Sequence, residues 1–235
     1  MVAAAPRIWV TRASPGAEET TARLAAMSLP VLVDPLLAVV PLSPSIDLDG
    51  VAVLAFTSVN GVQAFARLCA DRGLPVFAVG GRTARAAREA GFADVASADG
   101  DVEALAALIA GQAVRIDGVV LHPGALEPAG DLVSALAAKR VTVRSVAVYE
   151  TVERDPAPAT LDQLGTLAAV LLHSPRAARK LARVLEGRPA PSLRAVCLSP
   201  AVAAPLTALI EAGQLAAVAV APHPSETALL DLLTL

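Results

Sequence analysis

Short apolar runs alternate along this chain with longer stretches in which apolar residues recur three and four positions apart. The short runs have the length of strands and lie at 7–11, 31–33, 51–56, 76–79, 119–121, 143–149, 168–172, 195–198 and 216–221. The longer stretches have helical periodicity and lie at 18–27, 61–71, 83–90, 102–109, 131–138, 176–185 and 202–212. Strands that alternate with helices in this way predict βαβ units and a mostly parallel sheet.

The two halves of the chain resemble each other. Residues 54–58 (Leu-Ala-Phe-Thr-Ser, before a predicted helix) match residues 170–174 (Val-Leu-Leu-His-Ser, before another), and 8–11 matches 119–122 at a similar offset. Near-constant offsets predict two copies of one α/β unit and therefore two similar domains. A single doubly wound domain is the alternative, because its elements are also periodic.

Composition narrows the class of protein. The chain is 55% hydrophobic and only 3% aromatic, with a mean hydropathy of +0.60. A spanning helix needs about 20 nearly uncharged apolar residues, and no run is that long. Apolarity spread over many alanines and valines is typical of alanine-rich helices packed on buried parallel strands, and it excludes a disordered chain.

Charge and cysteine usage exclude further classes. The net charge is −3 and the pI about 5.6, which gives no electrostatic attraction for nucleic acid or an anionic membrane. Cys69 and Cys197 are too far apart in the sequence to suggest a disulfide framework or metal-ligand spacing. Together with the lack of a signal-peptide pattern near Arg7, they predict a protein of the reducing cytoplasm.

Small hydroxyl residues and glycines follow most of the predicted strands. Ligands of open parallel sheets bind beyond the carboxyl ends of the strands, where helix N-termini offer free backbone N–H groups to anions. Segments of this kind are Ser-Pro at 14–15, 174–175 and 199–200, and hydroxyl-rich or glycine-rich residues at 57–61, 80–83 and 123–124. Each could simply be a helix cap. Their recurrence in both halves favours an anionic ligand held between two domains.

Several familiar motifs are absent from the sequence. Gly80-Gly81 is not a dinucleotide fingerprint, there is no P-loop, and Ser58 lacks the glycines of a hydrolase nucleophile elbow. The three histidines do not share metal-ligand spacing. Tyr149, the one tyrosine, is either a packing residue or a proton donor at a strand end.

Motifs distributed over essentially the whole chain identify a resemblance to one family. They are Val-Thr-Arg at 10–12, Phe-Thr-Ser-Val-Asn-Gly-Val at 56–62, Val-Gly with Thr-Ala at 79–84, Ser-Ala-Asp-Gly-Asp at 97–101, Val-Tyr-Glu-Thr at 148–151 and His-Ser-Pro-Arg-Ala at 173–177. In this order they resemble the uroporphyrinogen-III synthases. The combination carries the resemblance, since no single motif is specific.

The resemblance implies two similar α/β domains with parallel sheets flanked by helices, joined by a two-stranded extended linker. Domain 1 is then discontinuous, over 1–36 and 154–235, and domain 2 is inserted at 39–146. The linkers lie near 36–39 and 146–154. Such linkers would allow a cleft to open by hinge motion.

The resemblance also implies an activity. Enzymes of this family are lyases of heme biosynthesis that cyclise the linear hydroxymethylbilane to uroporphyrinogen III, with loss of water and inversion of ring D. The reaction passes through azafulvene and spiro intermediates and uses no metal or organic cofactor. The expected partner is the polycarboxylate linear tetrapyrrole alone, bound by a cytoplasmic monomer. A non-catalytic two-domain binder of an anionic small molecule is the alternative, and a nucleotide-dependent enzyme is a third that lacks its phosphate motifs.

Site residues follow from the resemblance and from the strand ends together. Tyr149 matches the family's recurrent tyrosine and is the expected general acid. The expected substrate-binding residues are Arg12, Thr57, Ser58, Asn60, Gly61, Gly80, Thr83, Gly124, Ser174, Arg176 and Ser199. After Ser199 this chain lacks two hydroxyl residues common in the family, so the sites of the first repeat carry more weight. His173 stands where an apolar residue is usual, and its role is open.

Overall fold

The computed structural model describes residues 7–112, 117–128 and 130–233. Its strands are β1 (Ile8–Val10), β2 (Val31–Val33), β3 (Leu37–Pro41), β4 (Val51–Phe56), β5 (Val76–Ala78), β6 (Val95–Ser97), β7 (Val119–Ala125), β8 (Val143–Glu153), β9 (Ala169–Leu172), β10 (Ala190–Cys197) and β11 (Leu215–Val220). Its helices are α1 (Gly16–Ala26), α2 (Val59–Leu68), α3 (Gly81–Glu89), α4 (Val102–Gly111), α5 (Leu132–Ala138), α6 (Pro158–Leu161), α7 (Pro175–Glu186), α8 (Pro200–Ala203), α9 (Thr207–Glu211) and α10 (Glu226–Asp231).

The chain divides into two compact units. Unit 1 comprises Met1–Ala38 and Val152–Leu235, and unit 2 comprises Val39–Thr151. Unit 1 holds a five-stranded sheet in the order β11-β10-β9-β1-β2, and a six-stranded sheet has the order β3-β8-β7-β4-β5-β6. The two-stranded linker, and its limits near 36–39 and 146–154, stay predictions.

The strand orders show that the two units repeat one topology. Reading the six-stranded sheet from its β6 edge gives β6-β5-β4-β7-β8, and each of these strands corresponds in place to β11-β10-β9-β1-β2. The pairs β1 with β9, β9 with β10, β4 with β5 and β4 with β7 are all parallel. The predicted α/β class, with two similar domains and parallel sheets flanked by helices, is therefore confirmed.

Both faces of each sheet are buried, as the apolar runs require. In unit 1, Trp9 packs in one buried cluster with α7, whereas its neighbour Val10 packs in another with α1 and α10. In unit 2, Ala55 lies in the cluster of α4 and α5, and Phe56 in the cluster of α2 and α3. Alternate side chains of a strand point to opposite faces, so a strand between two helical layers must be apolar at every position. Polar residues therefore lie beyond the ends of such a strand.

Three predictions of elements are wrong in detail. The predicted helix at 202–212 is broken into α8, a 3₁₀ turn at Ala204–Leu206 and α9, because Pro205 has no N–H to donate within a helix. Ser14 does not cap a helix: α1 begins at Gly16, and the Ser14 hydroxyl donates to Glu18 instead. The short edge strand β6 was missed, because its sequence Val-Ala-Ser has only one large aliphatic residue and so shows no apolar run.

Candidate functional site

A cavity of about 390 Å³ lies within unit 2 at the carboxyl ends of β4, β5 and β7, beside Tyr149 and Thr151 of β8. This is the edge of a parallel sheet where ligands bind. The polar side chains among the described residues that line it are Thr57, Ser58, Asp101, Glu127, Tyr149 and Thr151. Three of these, Thr57, Ser58 and Tyr149, are residues that the sequence predicted for the site.

Ser58 holds its place because it begins a helix. It follows β4 directly, has an extended backbone and caps α2, with its Oγ accepting the N–H of Gly61 at 3.0 Å. The same Oγ lies 3.0 Å from the phenol oxygen of Tyr149. The first turn of a helix has backbone N–H groups that need an acceptor, and the N-cap Ser58 supplies it. The same position places the Ser58 hydroxyl at the wall of the cavity.

Tyr149 reaches the cavity through an irregularity in β8. Along the β7–β8 pair, Gly124 lies opposite Ala147 but Ala125 lies opposite Tyr149, so Val148 is an extra residue. A bulge of this kind changes the face to which the following side chain points. The carbonyl groups stay satisfied, since Val148 accepts from the N–H of Leu42 and Tyr149 from the N–H of Leu126. The ring of Tyr149 is buried against Ala64, with 8% of the residue exposed.

The cavity lining contains two acidic side chains. Asp101 and Glu127 line it from exposed positions, and the lining includes no lysine or arginine among the described residues. Asp101 is fixed there as the N-cap of α4, where its carboxylate accepts the N–H of Ala104 at 2.9 Å. Hydroxyl groups beside the Asp101 carboxylate suit a ligand that donates hydrogen bonds. The sequence analysis missed both acids, although the cap pattern at 101–104 marks Asp101.

Two glycines predicted for substrate binding have structural roles. A Cβ on Gly61 would lie 2.8 Å from the carbonyl oxygen of Pro123, so α2 approaches β7 closely only with glycine there. A Cβ on Gly124 would lie 2.9 Å from Nε2 of His122. The N–H of Gly61 is also occupied by Ser58. Neither glycine belongs to the cavity lining.

The other predicted residues of unit 2 lie near the strand ends but outside the cavity lining. Gly80 caps α3 and has open space where a Cβ would be. Thr83 is buried in the first turn of α3, at 5% exposure, and Asn60 is half-buried in the first turn of α2. The structure therefore supports them as parts of helix starts and leaves their contact with substrate a prediction.

His122 is a buried side chain that the sequence analysis assigned to no site. Its Nδ1 lies 2.9 Å from the carbonyl oxygen of Ala55, which can only accept, so Nδ1 carries the proton. Burial lowers the pKa of His122, against the smaller opposing effect of that hydrogen bond. His122 is therefore a neutral residue that ties β7 to β4.

In unit 1, Arg12 belongs to a cluster of polar side chains around Glu226. The carboxylate of Glu226 lies 3.1 Å from the Arg12 guanidinium and 2.9 Å from Nε2 of His173, and it accepts the Thr20 hydroxyl at 2.6 Å. Burial alone would raise the pKa of Glu226, but the hydrogen bonds from His173 and Thr20 and the nearby positive charge lower it to about 2. Arg12 is thus paired with the Glu226 carboxylate, and His173 contacts the same carboxylate.

The remaining predicted residues of unit 1 lie at two helix starts. Ser174 caps α7 by accepting the N–H of Ala177 at 3.2 Å. Arg176 is half-buried in the first turn of α7. Ser199 precedes α8, but its side chain makes no cap hydrogen bond with this four-residue helix. Their contact with substrate stays a prediction.

Comparison with known proteins identifies the family. The family model for uroporphyrinogen-III synthase HemD matches residues 18–231, most of the chain. The chain belongs to the uroporphyrinogen-III synthase family. No protein in the curated collection of sequences matches it significantly. The resemblance drawn from the short motifs is confirmed.

Solved structures of uroporphyrinogen-III synthases share the fold. The uroporphyrinogen-III synthetase of Helicobacter pylori matches with a TM-score of 0.67 at 18% identity, over 97% of this chain and 98% of that one. A mutant uroporphyrinogen III synthase of the extremely thermophilic bacterium Thermus thermophilus matches with a TM-score of 0.52 at 18% identity, over 98% of both chains. At this identity the likeness shows the fold, and the family assignment rests on the model match.

Family membership gives the activity. The chain is a cyclising lyase of heme biosynthesis that converts hydroxymethylbilane to uroporphyrinogen III. Within the described ranges, no helix is long and apolar enough to cross a membrane. In the same residues, no cluster of three or more histidine, cysteine or acidic side chains could hold a metal ion.

The two glycine environments predict different effects on stability. We expect Gly61→Ala to lower the free energy of unfolding by about 1–3 kcal/mol, because the new methyl group meets a backbone carbonyl that cannot move freely. Gly80→Ser, at a helix start with open space, serves as the matched control and should cause no loss. Urea unfolding measures both. Equal stabilities of the two variants would contradict the close approach of α2 to β7.

The cluster around Glu226 predicts a pH dependence of stability. A carboxyl whose pKa is lower in the folded state contributes stability above its unfolded pKa of 4.5, and this contribution is lost as the pH falls through about 2. We expect Glu226→Gln to lack this component between about pH 4.5 and about 2 in urea unfolding at a series of pH values. The exposed Glu103→Gln is the control. A wild-type pH profile in Glu226→Gln would show that the ion cluster contributes nothing.

Proposed function

We propose that Tyr149 acts as the general acid of the cyclisation, at the wall of the unit 2 cavity. The single observation that supports this is the position of its hydroxyl, which is held at a polar cavity by Ser58 at 3.0 Å while its ring is buried. A phenol O–H can donate a proton to a departing hydroxyl. Among the described lining residues, the acids Asp101 and Glu127 are exposed, so neither is fixed by burial in this way.

In the proposed sequence, the Tyr149 proton goes to the hydroxymethyl oxygen of ring A as its carbon–oxygen bond breaks. Water leaves, and an electrophilic azafulvene remains. The substituted carbon of ring D attacks it to form a spiro intermediate, which fragments and recloses with ring D inverted. The last step releases one proton from ring D, so a proton is available to restore the phenol. Overall one molecule of water is lost.

The charge of the cavity supports the reacting end of the substrate as its occupant. Pyrrole N–H groups donate hydrogen bonds, and the azafulvene carries positive charge when protonated. Both are complementary to the carboxylate of Asp101 and to the hydroxyls of Thr57 and Thr151. The eight carboxylates of the bilane would be repelled by Asp101. We propose that they are bound outside this cavity, by backbone N–H groups and hydroxyl groups at helix starts.

The cytoplasm and a monomeric state are part of the same proposal. Both cysteines are free, Cys69 half-buried and Cys197 buried, as expected of a reducing compartment. Burial raises the pKa of Cys197 to about 12, which keeps its thiol unreactive. The large apolar side chains that the described residues expose are few: Val33, Val40, Leu126 and Val133. So few exposed apolar side chains do not require a partner surface.

The direct test measures which isomer forms. We expect the protein, given freshly made hydroxymethylbilane, to yield the III isomer, whereas the spontaneous reaction yields the I isomer. Tyr149→Phe keeps the ring packing and removes the proton donor, so its rate of III formation should fall by about 10² or more. Separation of the two isomers by chromatography measures both. Rapid III formation by Tyr149→Phe would refute the general acid, and the I isomer alone from wild type would refute the function.

A second test concerns the occupant of the cavity. Asp101→Asn and Asp131→Asn both keep an N-cap, but only Asp101 lines this cavity, so Asp131→Asn is the matched control. We expect Asp101→Asn to lower kcat by about fivefold without lowering KM, as loss of one exposed charge near a developing cation would do. A KM that falls in Asp101→Asn would show that substrate carboxylates enter the cavity instead.

A further inference from the structure

The Ser58 hydroxyl lies between the backbone of α2 and the phenol of Tyr149. Its Oγ is 3.0 Å from the N–H of Gly61 and 3.0 Å from the Tyr149 oxygen. Serine was expected to bind substrate, yet both of these partners belong to the protein. Ser58 is half-buried.

The hydroxyl protons of Ser58 and Tyr149 can be arranged in two ways. A serine hydroxyl donates one hydrogen bond and accepts up to two. The Gly61 N–H can only donate, so Ser58 accepts from it and keeps its own proton for another partner. Either hydroxyl can donate across the 3.0 Å contact between Ser58 and Tyr149. The Tyr149 proton is free to face the cavity only when Ser58 is the donor.

We propose that Ser58 is a positioning residue that donates its hydroxyl proton to the phenol oxygen of Tyr149 and so turns the Tyr149 proton toward the cavity. The proposal rests on the function proposed for Tyr149. The ring of Tyr149 is fixed by burial, so the direction of its O–H is the freedom that remains to be set. Ser58 removes this freedom with a single hydrogen bond.

The same hydrogen bond stabilises the phenol oxygen after it has given up its proton. Negative charge then develops on that oxygen, and a donated hydrogen bond to a charged acceptor is stronger than one to a neutral acceptor. Ser58 is also the N-cap of α2, a helix of 10 residues whose N-terminus carries partial positive charge. The Ser58 hydroxyl therefore links the N-terminus of α2 to the Tyr149 oxygen, where the negative charge develops.

A double-mutant cycle tests whether Ser58 acts through Tyr149. We expect Ser58→Ala to lower kcat for III formation about tenfold with KM unchanged, a part of the general acid's contribution. In the Tyr149→Phe background, Ser58→Ala should cause no further loss, because the group that it positions is gone. Losses that multiply, or a raised KM, would show that Ser58 contacts substrate and would overturn the proposal.

A conservative variant and a matched cap variant complete the kinetic test. Ser58→Thr keeps both the hydroxyl and the cap and should retain the wild-type kcat. Ser225→Ala removes an equivalent cap, in which Ser225 accepts the N–H of Ala228 at 3.2 Å, at a helix outside the proposed site. It should lose stability comparably to Ser58→Ala but keep kcat. A kcat loss of the same size in Ser225→Ala would assign the effect to lost stability and overturn the positioning role.

The hydrogen bond itself can be observed without substrate, because Tyr149 is the only tyrosine of the chain. The Raman Fermi doublet of tyrosine reports whether the phenol oxygen accepts a hydrogen bond. We expect an accepting phenol in the wild type and in Ser58→Thr, and its loss in Ser58→Ala. An unchanged doublet in Ser58→Ala would overturn the proposal. This result stands whether or not the protein forms the III isomer, so it separates failure of the positioning role from failure of the proposed function.

Discussion

Burial of both faces of two parallel sheets is the constraint on which the rest of this structure depends. The central strands β1, β4 and β9 pass between two layers of helices and are apolar at every position, from Trp9 and Val10 in unit 1 to Ala55 and Phe56 in unit 2. Polar groups can then be placed without cost only where strands end and helices begin. The backbone N–H groups of each helix start need partners there, and serine or aspartate caps supply them. The candidate site is made from these caps.

Periodicity and local capping chemistry were sufficient to predict much of the fold. Periodicity and capping both depend on residues that are close in the sequence. The apolar runs predicted most of the strands, and Ser58 and Ser174 begin helices as expected. The bulge at Val148 was not predictable, because it depends on how β8 pairs with β7, and no residue type marks it. Ser14 does not cap a helix, because its hydroxyl donates a hydrogen bond to Glu18. The dipeptide Ser-Pro alone does not predict this hydrogen bond.

The candidate site divides in the same way. Ser58 caps a helix within its own segment and was predicted from the sequence, whereas Tyr149 was predicted from the resemblance to the family. Residues whose role depends on distant partners were not predicted in that role. Glu226 lies more than two hundred residues from Arg12 in the chain, so nothing in the sequence showed that the predicted anion-binding arginine is already paired. Gly61 was expected as a ligand-binding residue, but the carbonyl oxygen of Pro123 explains it by packing.

The lack of lysine and arginine among the described residues of the cavity lining is compatible with a reaction in which the enzyme mainly orients the ends of the substrate. The bilane closes unaided to the I isomer, so a catalyst of the III isomer must favour one geometry over another that is already accessible. A cavity rich in fixed hydroxyls and carboxylates holds N–H donors in defined directions, whereas a cationic cavity would attract any of eight carboxylates and leave the ring ends free. Asp101 and Ser58 are fixed by the helices that they cap, so the directions they impose are set by the fold itself. We therefore propose that the fixed carboxylate of Asp101 serves selectivity, although the substrate is a polyanion.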